Sequence, residues 1–160
     1  MILTVIRDKE EDLQLGGIAA TALCGAGLTQ VFPGGFPSRS AVADGGSLEV
    51  MCDEVNAPRV RAGFVRAGFD TIERVAEPKI APKTNIVTLT VGPENPKFLQ
   101  MADPAADALC GAGLTVAYPN GKSYSGDLFS DPTAQVQCDQ DDAAIVQQAL
   151  GAVWKLLESN

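Results

Sequence analysis

The chain contains no histidine. It has a single tryptophan and two tyrosines among 160 residues, and its 12 Lys and Arg face 20 Asp and Glu. Each shortage excludes something. Without imidazole there is no Ser-His-Asp or Cys-His nucleophile and no His-ligated metal. A net charge of −8 with a pI near 4.4 argues against nucleic-acid binding, which needs clustered cations on the phosphates. No apolar run approaches the ~18 residues of a membrane span. No Cys-x-x-Cys pair occurs, so the four cysteines are weak ground for zinc. The apolar start Met1–Ile6 precedes the charges Arg7, Asp8 and Lys9, the reverse of a secretory leader. The expectation is synthesis in the cytoplasm without a signal peptide.

What is present is a repeat. Ala22-Leu23-Cys24-Gly25-Ala26-Gly27-Leu28-Thr29 recurs as Ala108-Leu109-Cys110-Gly111-Ala112-Gly113-Leu114-Thr115, an offset of 86. The same offset pairs Leu3-Thr4-Val5 with Leu89-Thr90-Val91, Cys52-Asp53 with Cys138-Asp139 and Val60 with Val146. Residues 1–74 align on 87–160 without a gap and share 22 identities. Residues 75–86, with Pro78, Pro82, Lys79 and Lys83, read as a connector. A lone unit of that size has a marginal core, so the two copies are expected to pack around a pseudo-twofold axis, as a dimer fused into one chain.

Within each unit the pattern predicts β-α-β-β-β-α, an α+β fold. The first strands fall at Ile2–Ile6 and Ile86–Val91. A short helix ends at Cys24 or Cys110, stopped by the glycines that follow. A hairpin is expected next, turning at Gly34-Gly35 and at Asn120-Gly121. Its strands in the second copy are Leu114–Tyr118 and Ser123–Leu128. The last strands are Leu48–Cys52 and Ala134–Cys138. The closing helix starts near Ala57-Pro58 in copy one, with Val60, Phe64, Val65 and Ile72 apolar. In copy two Asp141-Asp142 cap it, and Val146, Ala149, Leu150, Val153, Trp154 and Leu157 form its stripe.

Four features bear on chemistry. Cys24 and Cys52, like Cys110 and Cys138, stand 28 residues apart. A disulfide in each copy would contribute roughly 3.5 kcal/mol by loop closure; the competing reading is four buried free thiols. The glycines of Cys-Gly-Ala-Gly follow a helix rather than open one, which fits a helix stop and not a phosphate loop. The acidic clusters Asp8–Asp12 and Asp139–Asp142 offer oxygen ligands without EF-hand spacing, and read as helix caps and solvated surface. All six arginines lie in copy one, leaving it at −3 and copy two at −6. Arg59, Arg66 and Arg74 are expected along one side of the closing helix, as an interface to the acidic second copy of a neighbouring subunit.

The sequence therefore points to a non-enzymatic structural or assembly protein, without metal or cofactor. Its partners would be proteins, as a homo-oligomer or on the surface of a particle such as a virus (phage) capsid-decoration or head–tail component. The alternative is a small-ligand module with a pocket between the copies, near Phe32, Phe36, Tyr118 and Tyr124. A third, weaker reading is an enzyme using Cys24 or Cys110 with Asp53 and Asp139.

Overall fold

The computed structural model describes residues 1–7, 13–30, 48–80, 82–91, 103–117, 124–125 and 134–158. Among these residues, two small antiparallel sheets and four α-helices make a mixed α and β fold. Strand β1 (Ile2–Arg7) runs centrally between β2 (Leu48–Met51) and β3 (Phe69–Thr71). In the other sheet β6 (Ala134–Asp139) lies between β4 (Ile86–Val91) and β5 (Tyr124–Ser125). The helices are α1 (Leu13–Gly25), α2 (Ala57–Arg66), α3 (Asp103–Gly111) and α4 (Ala143–Glu158).

The strands form where β-branched and apolar residues alternate. Leu3 and Val5 of β1 and Leu48 and Val50 of β2 are fully buried, with Thr4 and Glu49 pointing the other way. Leu3 pairs with Val50 and Thr4 with Glu49; Leu89 pairs with Val136 and Thr90 with Gln135. Both registers are related by the 86-residue offset.

The helix stops match in the same way. The amide of Leu28 donates to the Leu23 carbonyl and that of Gly27 to Cys24; Leu114 donates to Leu109 and Gly113 to Cys110. This is the Schellman arrangement, which needs a left-handed residue. Gly27 (φ 84°) and Gly113 (φ 87°) supply it.

Helix α1 is buried on nearly every side through Ile18, Ala19, Ala20, Ala22 and Leu23, as expected of a helix enclosed by neighbours. It packs on α3 and α4, while α3 packs on α2. Each unit's first helix thus lies against the other unit's closing helix, and the two first helices meet each other. One hydrophobic core results, joining Leu3, Leu23, Val60 and Phe64 to Leu109, Val136, Val146 and Val153.

The two halves differ after the closing helix. Helix α2 ends at Arg66, and Gly68 (φ 101°) turns the chain back as β3. The residues at the same offset, 155–157, remain within α4. Ile72, expected on the helix stripe, lies beyond β3 and is 62% exposed; Val65 is also exposed. Of the stripe expected on α4, Val146, Ala149, Leu150 and Val153 are buried, with Trp154 packed against them; the side chain of Leu157 lies outside the described residues. Its entry differs from expectation. Asp139 accepts from the Asp141 amide at 3.0 Å and caps a 3-10 turn, Gln140–Asp142, ahead of the helix.

Residues 114–117 are not a ladder strand. Val116 donates its amide to Gln137 at 2.8 Å, and β5 pairs with β6. The expected turns at Gly34-Gly35 and Asn120-Gly121 lie outside the described residues.

Candidate functional site

The residues singled out from the sequence converge most closely at the C-terminal end of α3, where the two units and the connector meet. A helix C-terminus exposes carbonyl oxygens and carries partial negative charge, so cations are favoured there. Arg59, in α2, donates from Nε to the Ala112 carbonyl at 2.8 Å. Lys83, in the connector, donates to the Gly113 carbonyl and lies 3.5 Å from an Asp142 carboxylate oxygen. Arg66 stands at the end of α2 with its Cβ close to Gly111. Ile80 of the connector lies over Gly113. At the matching end of α1 the donor is neutral: Gln148 Nε2 reaches the Gly25 carbonyl at 2.8 Å.

These contacts account for part of the uneven arginine distribution. The partner of Arg59 is the second half of the same chain, where the sequence had suggested a neighbouring subunit. Arg74 is not on the helix at all, because Gly68 ends α2 before it. It pairs instead with Asp70 at 3.1 Å, and Arg61 reaches the same carboxylate at 3.0 Å.

All four cysteines are free thiols in this structure. Cys24 and Cys110 sit in the last turns of α1 and α3; Cys52 follows β2 and Cys138 lies in β6. Burial pushes each thiol above its ordinary value. Around Cys110, Arg66, Thr115 and Lys83 pull the other way but do not outweigh burial. A thiol raised in this way is protonated at neutral pH and is a poor nucleophile.

Asp139 serves as a cap and Asp142 and Asp70 as ion-pair partners, while the acidic cluster Asp8–Asp12 lies outside the described residues. Asp139 receives the Asp141 and Thr84 amides, and those bonds hold its carboxyl below the usual range. Among the described residues, no group of three His, Cys, Asp or Glu is placed to hold a metal ion. No described helix is long and apolar enough to cross a membrane. Of the aromatic residues proposed to line a pocket, Phe32, Phe36 and Tyr118 lie outside the described residues. Tyr124 pairs through its backbone with Val136.

One anchoring group escaped the sequence reading. Glu73 accepts the Thr4 amide at 2.7 Å and the Thr4 hydroxyl at 3.0 Å. The Thr4 amide is the leading cause that holds the Glu73 carboxyl below its usual range. Burial raises Asp70, but the Thr71 amide, Arg74 and Arg61 more than offset it and leave that carboxyl lowered as well. A folded-state value below the unfolded one gives stability that is complete above the ordinary carboxylate range and lost as pH falls through the folded value. The melting temperature should therefore hold near neutrality and fall below roughly pH 4.5. Glu73→Gln should lower stability at pH 7 by about 1 kcal/mol and approach the wild type at about pH 3. An equal deficit at both pH values in thermal melts would refute this role.

In comparison with known proteins, no family model, no curated protein and no solved structure matches the chain.

Proposed function

We propose that the chain is a tandem duplication, a dimer fused into one polypeptide, and that it serves as a non-enzymatic structural subunit of a larger protein particle. A virus capsid-decoration or head–tail component is the particle type that such a small, acidic, duplicated chain suits. The reciprocal packing carries this reading. The first helix of each half is buried against the closing helix of the other, around a single core. Matching strand registers and helix stops at the 86-residue offset support the duplication. The chemistry-bearing side chains with described contacts have structural work. Asp139 caps a turn, Asp142 and Asp70 pair with cations, Arg59 closes a helix end, and the thiols are held neutral by burial.

The test is the native mass of the full chain, by sedimentation and by native mass spectrometry, with and without reductant. A mass of several 16.7 kDa chains, unchanged by reductant, is expected. A strict monomer at the highest concentration the chain tolerates would overturn the assembly reading.

A further inference from the structure

The two halves differ at one sheet edge. In the first half, the outer edge of β1 is covered. The Thr4 carbonyl accepts the Ile72 amide at 2.9 Å, the Thr4 amide is taken by Glu73, and β3 pairs antiparallel with Val5, Ile6 and Arg7. In the second half the counterpart of β1 is β4, and Thr90 occupies the position of Thr4. Among the described residues β4 pairs with β6 alone, because the counterpart of β3 is drawn into α4. The equal register on the inner side turns the amides and carbonyls of Thr88 and Thr90 toward this outer edge.

Exposed strand edges are ordinarily blunted by charge or proline, since an unpaired edge recruits other strands. This one is not. From Thr84 to Pro93 no residue is charged, and Pro93 stands beyond the end of the strand. Ile86, Thr88 and Thr90 are exposed, Ile86 by 43%.

We propose that β4 is an interaction edge that pairs antiparallel with β4 of a second copy of this chain. Thr88 lies opposite Thr88 of the second copy, and Ile86 opposite its Thr90. The two three-stranded sheets then join as β5-β6-β4-β4-β6-β5. Two observations select a second copy. Two identical strands hydrogen-bonded across a twofold axis perpendicular to them run antiparallel, which is how β3 covers the equivalent edge in the first half. The chain carries −8 overall and would repel its own kind, yet this strand places no charge opposite its twin. The contact is isologous, so it closes a dimer from which a larger particle can be built. The proposal rests on the assembly reading above.

The test uses the full chain with Thr88→Lys and Thr88→Glu, measured separately and as an equimolar mixture. Thr88 is exposed, so both variants should melt near the wild type. Each alone places like charges opposite one another across the twofold, and the dissociation constant should rise by at least about tenfold. The mixture places opposite charges together and should recover the wild-type mass, which misfolding of either variant could not produce. Wild-type oligomers that both variants leave unchanged would overturn the edge while the assembly reading stands. A variant mixture that fails to recover its mass would overturn the pairing of Thr88 with Thr88. A strictly monomeric wild type would overturn both readings.

Discussion

Gly111→Ala is expected to destabilise the protein by about 2–3 kcal/mol, and Gly151→Ala to stabilise it by about 0.5–1 kcal/mol, although both exchange a helical glycine for the best helix former. The difference lies in what the added methyl meets. At Gly111 it would press on the Ala62 carbonyl oxygen, with the Arg66 Cβ at 2.7 Å and the Ala62 carbonyl carbon at 2.9 Å. Most of these atoms are backbone of a neighbouring helix and cannot rotate aside. Gly63 is the reciprocal contact from α2, where a methyl would stand 2.7 Å from the Ala108 oxygen. Helices α2 and α3 therefore touch backbone to backbone, and overpacking them forces a shift of one half against the other. At Gly151 nothing lies within 4 Å, so only the conformational entropy of the unfolded chain changes. Urea unfolding of the two variants gives the sign directly. Shifts of the same sign would mean that α2 and α3 do not meet backbone to backbone at Gly63 and Gly111.

Leu23→Ala and Leu109→Ala are each expected to cost about 2–5 kcal/mol. Both should lower the midpoint of one common unfolding transition. The two leucines occupy equivalent positions in α1 and α3, and both are fully buried. Typical domains are stable by only about 5–15 kcal/mol, so either loss is a large fraction of the total. The common transition follows from the shared core. α1 packs on α3 and α4, so its loosening exposes apolar surface in both halves at once. Calorimetry and denaturant titration, followed by circular dichroism and by Trp154 fluorescence, test this. Two resolved steps, with Leu109→Ala moving only one of them, would show that each half keeps a core of its own.

Much of the local structure was legible. The start of α2 at Ala57 follows from a proline in its first turn, and the stripe of α4 from apolar spacing. The left-handed positions at Gly27 and Gly113 follow from Gly-Leu after an apolar helix. The end of α2 was less legible. Gly68 breaks the helix and β3 follows, yet Ile72 and Arg74 continue a helical spacing past that point. Sequence spacing cannot register a turn that one glycine makes available and tertiary pairing then uses. Within the acidic cluster Asp139–Asp142, spacing favours Asp141 and Asp142 as the caps of α4, yet Asp139 is the residue that caps, and it caps the turn ahead of the helix. The 3-10 turn between them appears only once β6 has fixed the approach of the chain.

By itself the sequence determined the 86-residue offset at which its own segments recur, the place of most strands and helices, and the inward residues of α4. These are local properties, set by side-chain periodicity and by the backbone preferences of glycine and proline, and they act before any long-range contact forms. Only the tertiary structure decided which helix lies on which, that Arg59 and Lys83 close the end of α3, and which sheet edge carries a third strand. It also separated glycines with unlike duties: Gly27 and Gly113 are needed for a positive φ, while Gly25 and Gly111, two residues earlier, are needed for close approach. In the sequence all four are the same absent side chain. What distinguishes them is the positive φ at one pair and, at the other, the backbone of a residue far along the chain that stands where a Cβ would go.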